Sequence, residues 1–352
     1  MFLLSGWKKG DRKSNEGAIK FFLLGVLSAS LILYGFSLIY GLTGQLVFAD
    51  ISAYLLANSL GSSPVLLLSA ILVISGIGFK ISVVPFHSWA PDTYEGAPLP
   101  ITTYLSVSSK ATGFVALIIL LTKVFESSGQ SWGVILAIVA GATMTLGNLV
   151  ALQQTNPVRL LAYSSISQAG FIIAPLAVSG ITGNYQDGIF ASVTYLIIYA
   201  FMNIGAFLSV HLFTNFTKSD NFYEWGGIAK HSPLTGVLTT VFFFSLAGVP
   251  PLGGWFAKFV VFRSLLSTGE IIGISLAIVG AINAVIALVY YARISKVIWM
   301  DELKNPEEEK SFEFQSPLKV VGALTVFITF VAGIFPGIFS YLGEVSSIFF
   351  GN

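Results

Sequence analysis

The amino-acid sequence predicts an all-α polytopic membrane protein with about nine transmembrane helices, two of them broken. Three observations carry this reading. First, 55% of the 352 residues are apolar and only 10% are charged, with a mean hydropathy of +0.82. A soluble domain is about 25% charged, so charge this sparse cannot cover a water-exposed surface. Second, windows of roughly 19 residues pick out successive apolar segments long enough to cross a bilayer. Third, the lysines and arginines gather on alternate connections. Soluble enzymes, nucleic-acid binders and disordered scaffolds are excluded, and a net charge of +1 offers nothing to a polyanion.

The elements follow in order. The opening MFLLSGWKKGDRKSNEG has a short apolar head before a basic cluster and lacks the cleavage site of a signal peptide. That head is too short to span ~30 Å of hydrocarbon, which needs about 20 apolar residues. It reads as the stub of a helix whose remainder is absent. Spans are expected over 18–43, 63–84, 99–123, 131–153, 159–180, 188–214, 234–267, 271–299 and 317–350. The second is interrupted by Pro85, shortly after Lys80. The seventh is too long and carries Pro250-Pro251-Leu252-Gly253-Gly254, so it reads as one crossing made of two half-helices. The polar stretch from Asp301 to Ser316 is expected to be a loop with no nameable chemistry. The chain is taken as a single membrane domain: 1–128 the end of a first repeat, 129–300 a second repeat, 301–352 a loop and a C-terminal helix.

Orientation follows from the basic residues. With the N-terminus inside, inside loops and helix ends hold Lys8, Lys9, Arg12, Lys13, Lys20, Arg159, Lys218, Lys230, Arg293, Lys296, Lys304, Lys310 and Lys319. Outside ends hold only Lys123 and Arg263. This bias places the N-terminus in the cytoplasm and the C-terminus outside, in the cell inner (plasma) membrane. One inside loop departs from the pattern: His87 to Pro98 carries Asp92 and Glu95 and no base, so it is assigned a specific local job.

Lys80, Lys110 and Lys258 lie within apolar spans, where a charge at mid-bilayer costs about 2.5–3.5 kcal/mol on insertion scales. Snorkelling is the bland alternative for a lysine near a helix end. Lys110 lies roughly eleven residues into its span, close to mid-depth at 1.5 Å per residue, where snorkelling is hard. Lys80 precedes the Pro85 break and Lys258 follows the Gly253-Gly254 break. Unwound backbone inside a membrane survives only where it is buried in protein or lines a wet cavity, so each lysine has water or free carbonyls within reach. The opposite order, lysine then break and break then lysine, suggests inverted repeats with paired broken helices. No acid accompanies them: the seventeen Asp and Glu are assigned to loops or helix ends. Desolvation favours the neutral amine, which suits a lysine to releasing and regaining a proton.

Other polar residues are open to two readings. Ser106, Ser108 and Ser109 around Lys110, and Tyr163, Ser164, Ser165, Ser167 and Gln168 in the fifth span, fit either a polar path or ordinary interhelical hydrogen bonding. His87 is equally a structural histidine or a relay member. His211 and His231 receive no role. No His and carboxylate spacing fits a metal site. Zero cysteines exclude thiolate-held iron–sulfur clusters and disulfides.

FKISVVPFHSWAPDTYEGAPLPITTYLSVSSKATGF resembles the central signature of subunit N (subunit 2) of proton-pumping NADH:quinone oxidoreductase, respiratory complex I. LLAYSSISQAGF, GVPPLGGWFAKF and SNEGAIKFFLLGVLSASLILYGFSLIYGLTG are similar to later and earlier segments of the same subunit. APDTYEGAP stands where the sister subunits and Mrp-type antiporters resemble one another in LPDAH-like wording. The resemblance implies an antiporter-like fold and a proton channel in which Lys80, Lys110 and Lys258 form the relay. It implies a translocase subunit with no redox centre of its own, NADH, FMN, Fe-S clusters and quinone being bound by other subunits. The partners implied are the other antiporter-like and small membrane subunits and the lipid bilayer, with no nucleic acid. The family subunit has about fourteen spans including a glutamate-bearing helix, so the missing acid and the opening stub lead to the expectation that N-terminal helices are absent. Many members have histidine where Gln168 stands, and glutamine takes up no proton, so Gln168 is left out of the relay. The competing readings are an Mrp-type cation/proton antiporter subunit, a plastoquinone-linked relative fed by ferredoxin, and a structural scaffold.

Overall fold

The computed structural model describes residues 1–302 and 316–351, which are helical throughout with no strands among them. The helices are α1 (Phe2–Ser5), α2 (Arg12–Thr43), α3 (Phe48–Ala57), α4 (Pro64–Ile81), α5 (Trp89–Gly96), α6 (Leu99–Tyr104), α7 (Lys110–Lys123), α8 (Gly129–Ala151), α9 (Pro157–Thr182), α10 (Tyr185–Thr217), α11 (Ile228–His231), α12 (Pro233–Ala247), α13 (Gly253–Ser267), α14 (Ile271–Met300), α15 (Ser316–Ile334) and α16 (Gly337–Gly351). Eight helical stretches are long and apolar enough to cross a membrane, and the pair α12–α13 is the broken ninth crossing expected from the sequence. Apolar side chains such as Phe22, Leu33, Ile138 and Val285 cover the outside, the surface of a multi-pass membrane protein.

α9 is the axis. Nearly every residue in it is buried, and α8, α10, α5, α13 and α14 all pack against it. A helix enclosed on all sides needs no amphipathic stripe, so its hydroxyl and amide groups must find partners inside the protein. Asn156 starts it: its Oδ1 accepts from the Val158 and Arg159 amides at 2.8 and 3.1 Å, with Pro157 at the first helical position.

α4 and α5 form the first broken element. α4 ends three residues before the end of the span expected over 63–84, because Ser82 adopts the left-handed conformation and Val83 N–H returns to Gly78 O at 3.0 Å. Phe79 O, which accepts from the Ser82 N–H at 3.1 Å, also accepts from Trp89 Nε1 at 3.0 Å. The segment read as an inside loop is therefore largely helical: residues 89–96 form α5, which lies along the start of α2, with Thr93 Oγ1 donating to Gly17 O at 3.0 Å. The middle of α2 packs on α4, where Ser28 Oγ donates to Gly76 O and Ser69 Oγ to Gly35 O, both at 2.7 Å.

Three further departures from the sequence reading have local causes. The third span is continuous but contains a π-helical turn over Leu105–Ser109, immediately before Lys110; such insertions leave no mark in hydropathy. The last span is two helices, α15 and α16, because Pro336 cannot continue the first. Glu344 consequently sits inside α16, exposed, rather than at a helix end. The loop expected over Asp301 to Ser316 lies mostly outside the described residues.

Candidate functional site

Lys110 and Lys258 are among the most enclosed residues in the protein, 1% and 5% exposed. Each ammonium is held by backbone rather than by an acid. Lys110 Nζ donates to Ser165 O at 2.8 Å and to Ser165 Oγ at 2.9 Å. Lys258 Nζ donates to Ala247 O at 2.5 Å and lies 5.2 Å from the centre of the Phe171 ring. The second break makes its bond available. α12 stops at Ala247 because Gly248 takes φ +94° and Val249 N–H closes back on Phe244 O, which releases the Ala247 carbonyl. Lys258, on the first turns of α13, reaches back to it. The approach of α13 to α12 requires glycine at 254: a Cβ there would stand 1.7 Å from Ser245 O.

The two lysines are joined through α9. One turn beyond Ser165, the Gln168 Nε2 donates to Leu246 O at 3.1 Å, and this is the carbonyl next to the one Lys258 uses. Gln168 Oε1 accepts from the Tyr195 hydroxyl. A row of polar groups thus leads from Lys110 and Ser165 to Gln168, one helical turn further on, and to the adjacent Leu246 and Ala247 carbonyls, the second of which holds Lys258. Gln168, set aside on sequence grounds because an amide takes up no proton, is its middle member. A branch leaves the line where Ser164 Oγ meets the Tyr291 hydroxyl. Beside it, Tyr290 donates to Asn148 Oδ1 at 2.9 Å, and Asn148 Nδ2 to Asn283 Oδ1 at 3.0 Å.

Lys80 is placed differently. It is exposed on the surface of the chain, its stem against Gly113 of α7, and no described residue bonds its ammonium. Its neighbour Phe79 lies 3.6 Å from the Cβ position of Gly25, thirteen residues into α2. At 1.5 Å per residue this sets Lys80 ~20 Å from that end of a helix ~48 Å long. The structure therefore links two of the three lysines and leaves the third beside them at mid-depth, facing outward.

Around these residues, Ser106 and Ser109 are buried and Ser108 is exposed. Ser106 Oγ accepts from Asn203 Nδ2 at 2.9 Å. Tyr163 is half-buried, and Ser167 is buried close to Gly147. His87 lies just past the first break with its Nδ1 buried and unbonded. The sequence reading missed Tyr195, Tyr199 and Asn203, which point to Gln168, Ser106 and Ser165. Their spacing of four residues puts them on one face of α10, a polar stripe in an apolar span that is visible in the sequence.

At the end carrying the N-terminus, the local job assigned to Asp92 and Glu95 is an ion cluster. Arg159 Nη1 donates to Asp92 Oδ1 at 2.7 Å and Glu95 Oε2 at 2.8 Å. Lys20 bonds Asp92 at 2.6 Å and Lys13 bonds Glu95 at 2.7 Å. Partial burial pushes both carboxyls up, but the hydrogen bonds and charges of these bases outweigh it and hold both below their ordinary range. The cluster stays ionised at neutral pH and ties α5 to α2 and α9.

Residues 1–286 match the family model described as NADH:quinone oxidoreductase/Mrp antiporter, transmembrane. The chain is 41% identical over 342 residues to NAD(P)H-quinone oxidoreductase subunit 2 of Crocosphaera subtropica, covering 95% of this chain and 64% of that protein. It is 35% identical over 348 residues to NADH-quinone oxidoreductase subunit N of Heliobacterium modesticaldum, covering 99% of this chain and 70% of the relative. Among solved structures, a chain of respiratory complex I from Thermus thermophilus superposes with a TM-score of 0.76 at 28% identity, over 97% of this chain and 71% of that one. The chain therefore spans about two thirds of the length of the relatives it matches. With its antiporter-like helical fold and two broken spans, it belongs to the NADH:quinone oxidoreductase/Mrp antiporter family of membrane proteins, among the subunit N (subunit 2) relatives.

Proposed function

We propose that this chain is part of the proton-translocating membrane arm of a NAD(P)H:quinone oxidoreductase, with Lys80, Lys110 and Lys258 as its relay. The observation that carries the proposal is the row of polar groups on α9 between two enclosed lysines, Ser165 bonding Lys110 and Gln168 bonding the carbonyl next to the one that Lys258 bonds. An amine bonded only to carbonyl and hydroxyl oxygens has no fixed counter-charge, so it can exist neutral or charged as a proton arrives or leaves. The serine and tyrosine hydroxyls near the amines both donate and accept, so they suit passage in either direction. Lys80 continues the line toward whatever group faces it across the surface of this chain. Electron transfer from NAD(P)H to quinone is assigned to other subunits, and the wording of APDTYEGAP favours this complex over a stand-alone Mrp-type antiporter. The same proposal includes division into repeats over 1–128 and 129–300, and a cytoplasmic N-terminal face in the cell membrane with the C-terminus outside.

The test is Lys110→Ala and Lys258→Ala in the complete membrane complex, with proton uptake into vesicles followed by a pH-sensitive dye alongside quinone reduction. Each is expected to lower proton translocation by tenfold or more, ~1.4 kcal/mol or greater on the barrier, in complexes that assemble normally. Lys258→Arg is expected to impair as well, since guanidinium does not give up its proton. Wild-type pumping by an assembled Lys258→Ala complex overturns the relay.

A further inference from the structure

The ion cluster and the Lys110 contact are built on the same two helices. α5 presents Asp92 and Glu95 toward Arg159, and its Tyr94, more than a quarter-turn away from either on the helix, is turned inward and fully buried. α9 carries Arg159 in its first turn and Ser165 six residues later, ~9 Å along the axis. Ser165 is the residue that holds Lys110 through both its oxygens. The Tyr94 hydroxyl faces Ser165 without reaching hydrogen-bond geometry, and it has no partner among the described residues. A buried hydroxyl is expensive to leave unbonded, and such groups are where proteins hold ordered water. Here that water would stand beside an ammonium.

We propose that Arg159 is a positioning residue for proton passage, holding α5 against α9 in the register that brings the Tyr94 hydroxyl to Ser165 and Lys110, and that Tyr94 takes part in that passage. In each transfer Lys110 gives a proton to a bridging water, that water gives one of its protons to the Tyr94 oxygen, and the phenolic proton passes to a second water beyond it, so Lys110 loses one proton, the second water gains one and the tyrosine ends unchanged. The inference rests on the proposed relay through Lys110. It gives the cluster a role beyond stapling: shortening Arg159 to lysine keeps the charge but loses the Nη1 contact that meets both carboxylates.

The experiment compares Tyr94→Phe, Arg159→Lys, the double variant and Lys110→Ala in the complete complex, measuring proton uptake, kcat and KM for quinone, and the amount assembled. Tyr94→Phe is expected to lower proton uptake and coupled kcat about a hundredfold, the low end for a lost proton-transfer group, with KM for quinone unchanged. Arg159→Lys is expected to lower the same quantities, and the double variant to be no slower than the worse single one, because both act on one contact. A wild-type rate in Tyr94→Phe, or fully multiplicative losses in the double variant, overturns this inference while Lys110→Ala remains defective. A wild-type rate in Lys110→Ala overturns the relay itself. Should Arg159→Lys fail to assemble, Tyr94→Phe decides alone.

Discussion

Gln168 shows what a single residue does in this protein. It is 2% exposed, and its amide supplies one donor and one acceptor at the point where the polar line crosses from α9 to the second break. Replacing it with leucine strands the Tyr195 hydroxyl and the Leu246 carbonyl, each at about 1–3 kcal/mol, and interrupts the line. Gln168→Leu is expected to assemble less stably and to lose most of its proton uptake. Gln168→His is expected to retain both, because neutral imidazole also has one donor and one acceptor. Vesicle pumping assays on both variants check this, and equal activity in the leucine and histidine forms would remove Gln168 from the path. Lys80 differs at the same scale: it is exposed, its stem lies against Gly113, and no described residue bonds its ammonium.

At the scale of elements, the two breaks share one construction. Each first half-helix ends on a left-handed residue, Ser82 or Gly248, with the next N–H returning to a carbonyl five residues back. At each break a side chain from beyond it bonds a carbonyl of the last turn: Trp89 bonds Phe79 O at the first, Lys258 bonds Ala247 O at the second. The second break depends on close helix approach. Gly254→Ala would drive a methyl group into Ser245 O, separating α12 from α13 and moving Lys258 off Ala247. Overpacking of this kind costs about 1–3 kcal/mol or more. A lower unfolding temperature and reduced pumping are expected for Gly254→Ala. Gly337→Ala, where the added carbon meets nothing within 4 Å, is the control. Equal thermal stability of the two variants would show that α12 and α13 tolerate the separation.

The whole molecule is a bundle around α9 with an ionic end and an apolar girth. Bases gather where Asp92, Glu95 and Arg159 meet, and the opposite end carries the α3 segment and the turns after α2, α7 and α9. Reporter fusions ending after Gly44 and after Lys230 are expected to lie outside and inside the cell respectively. The same sidedness for both would refute the nine-crossing topology and the cytoplasmic placement of the ionic end.

Much of this was legible in the sequence. Composition and hydropathy determine that the chain is a helical membrane protein, since only helices or closed barrels satisfy backbone polarity in lipid. The interrupting Pro and Gly runs mark both broken crossings, and the isolated lysines mark the site. What hydropathy could not carry was partnership. It treats residues 87–98 as a polar loop, although Asp92 and Glu95 become helical once bases from α2 and α9 neutralise them. It passes over the π turn before Lys110, which changes no residue type. Averaged over a window, it passes over Tyr94 and the stripe of Tyr195, Tyr199 and Asn203, because the apolar residues around them dominate the mean. Above all, sequence ranks the three lysines alike. Packing alone encloses Lys110 and Lys258 against backbone carbonyls and leaves Lys80 facing outward, because burial and hydrogen-bond partners belong to helices distant in the chain and meeting only in space.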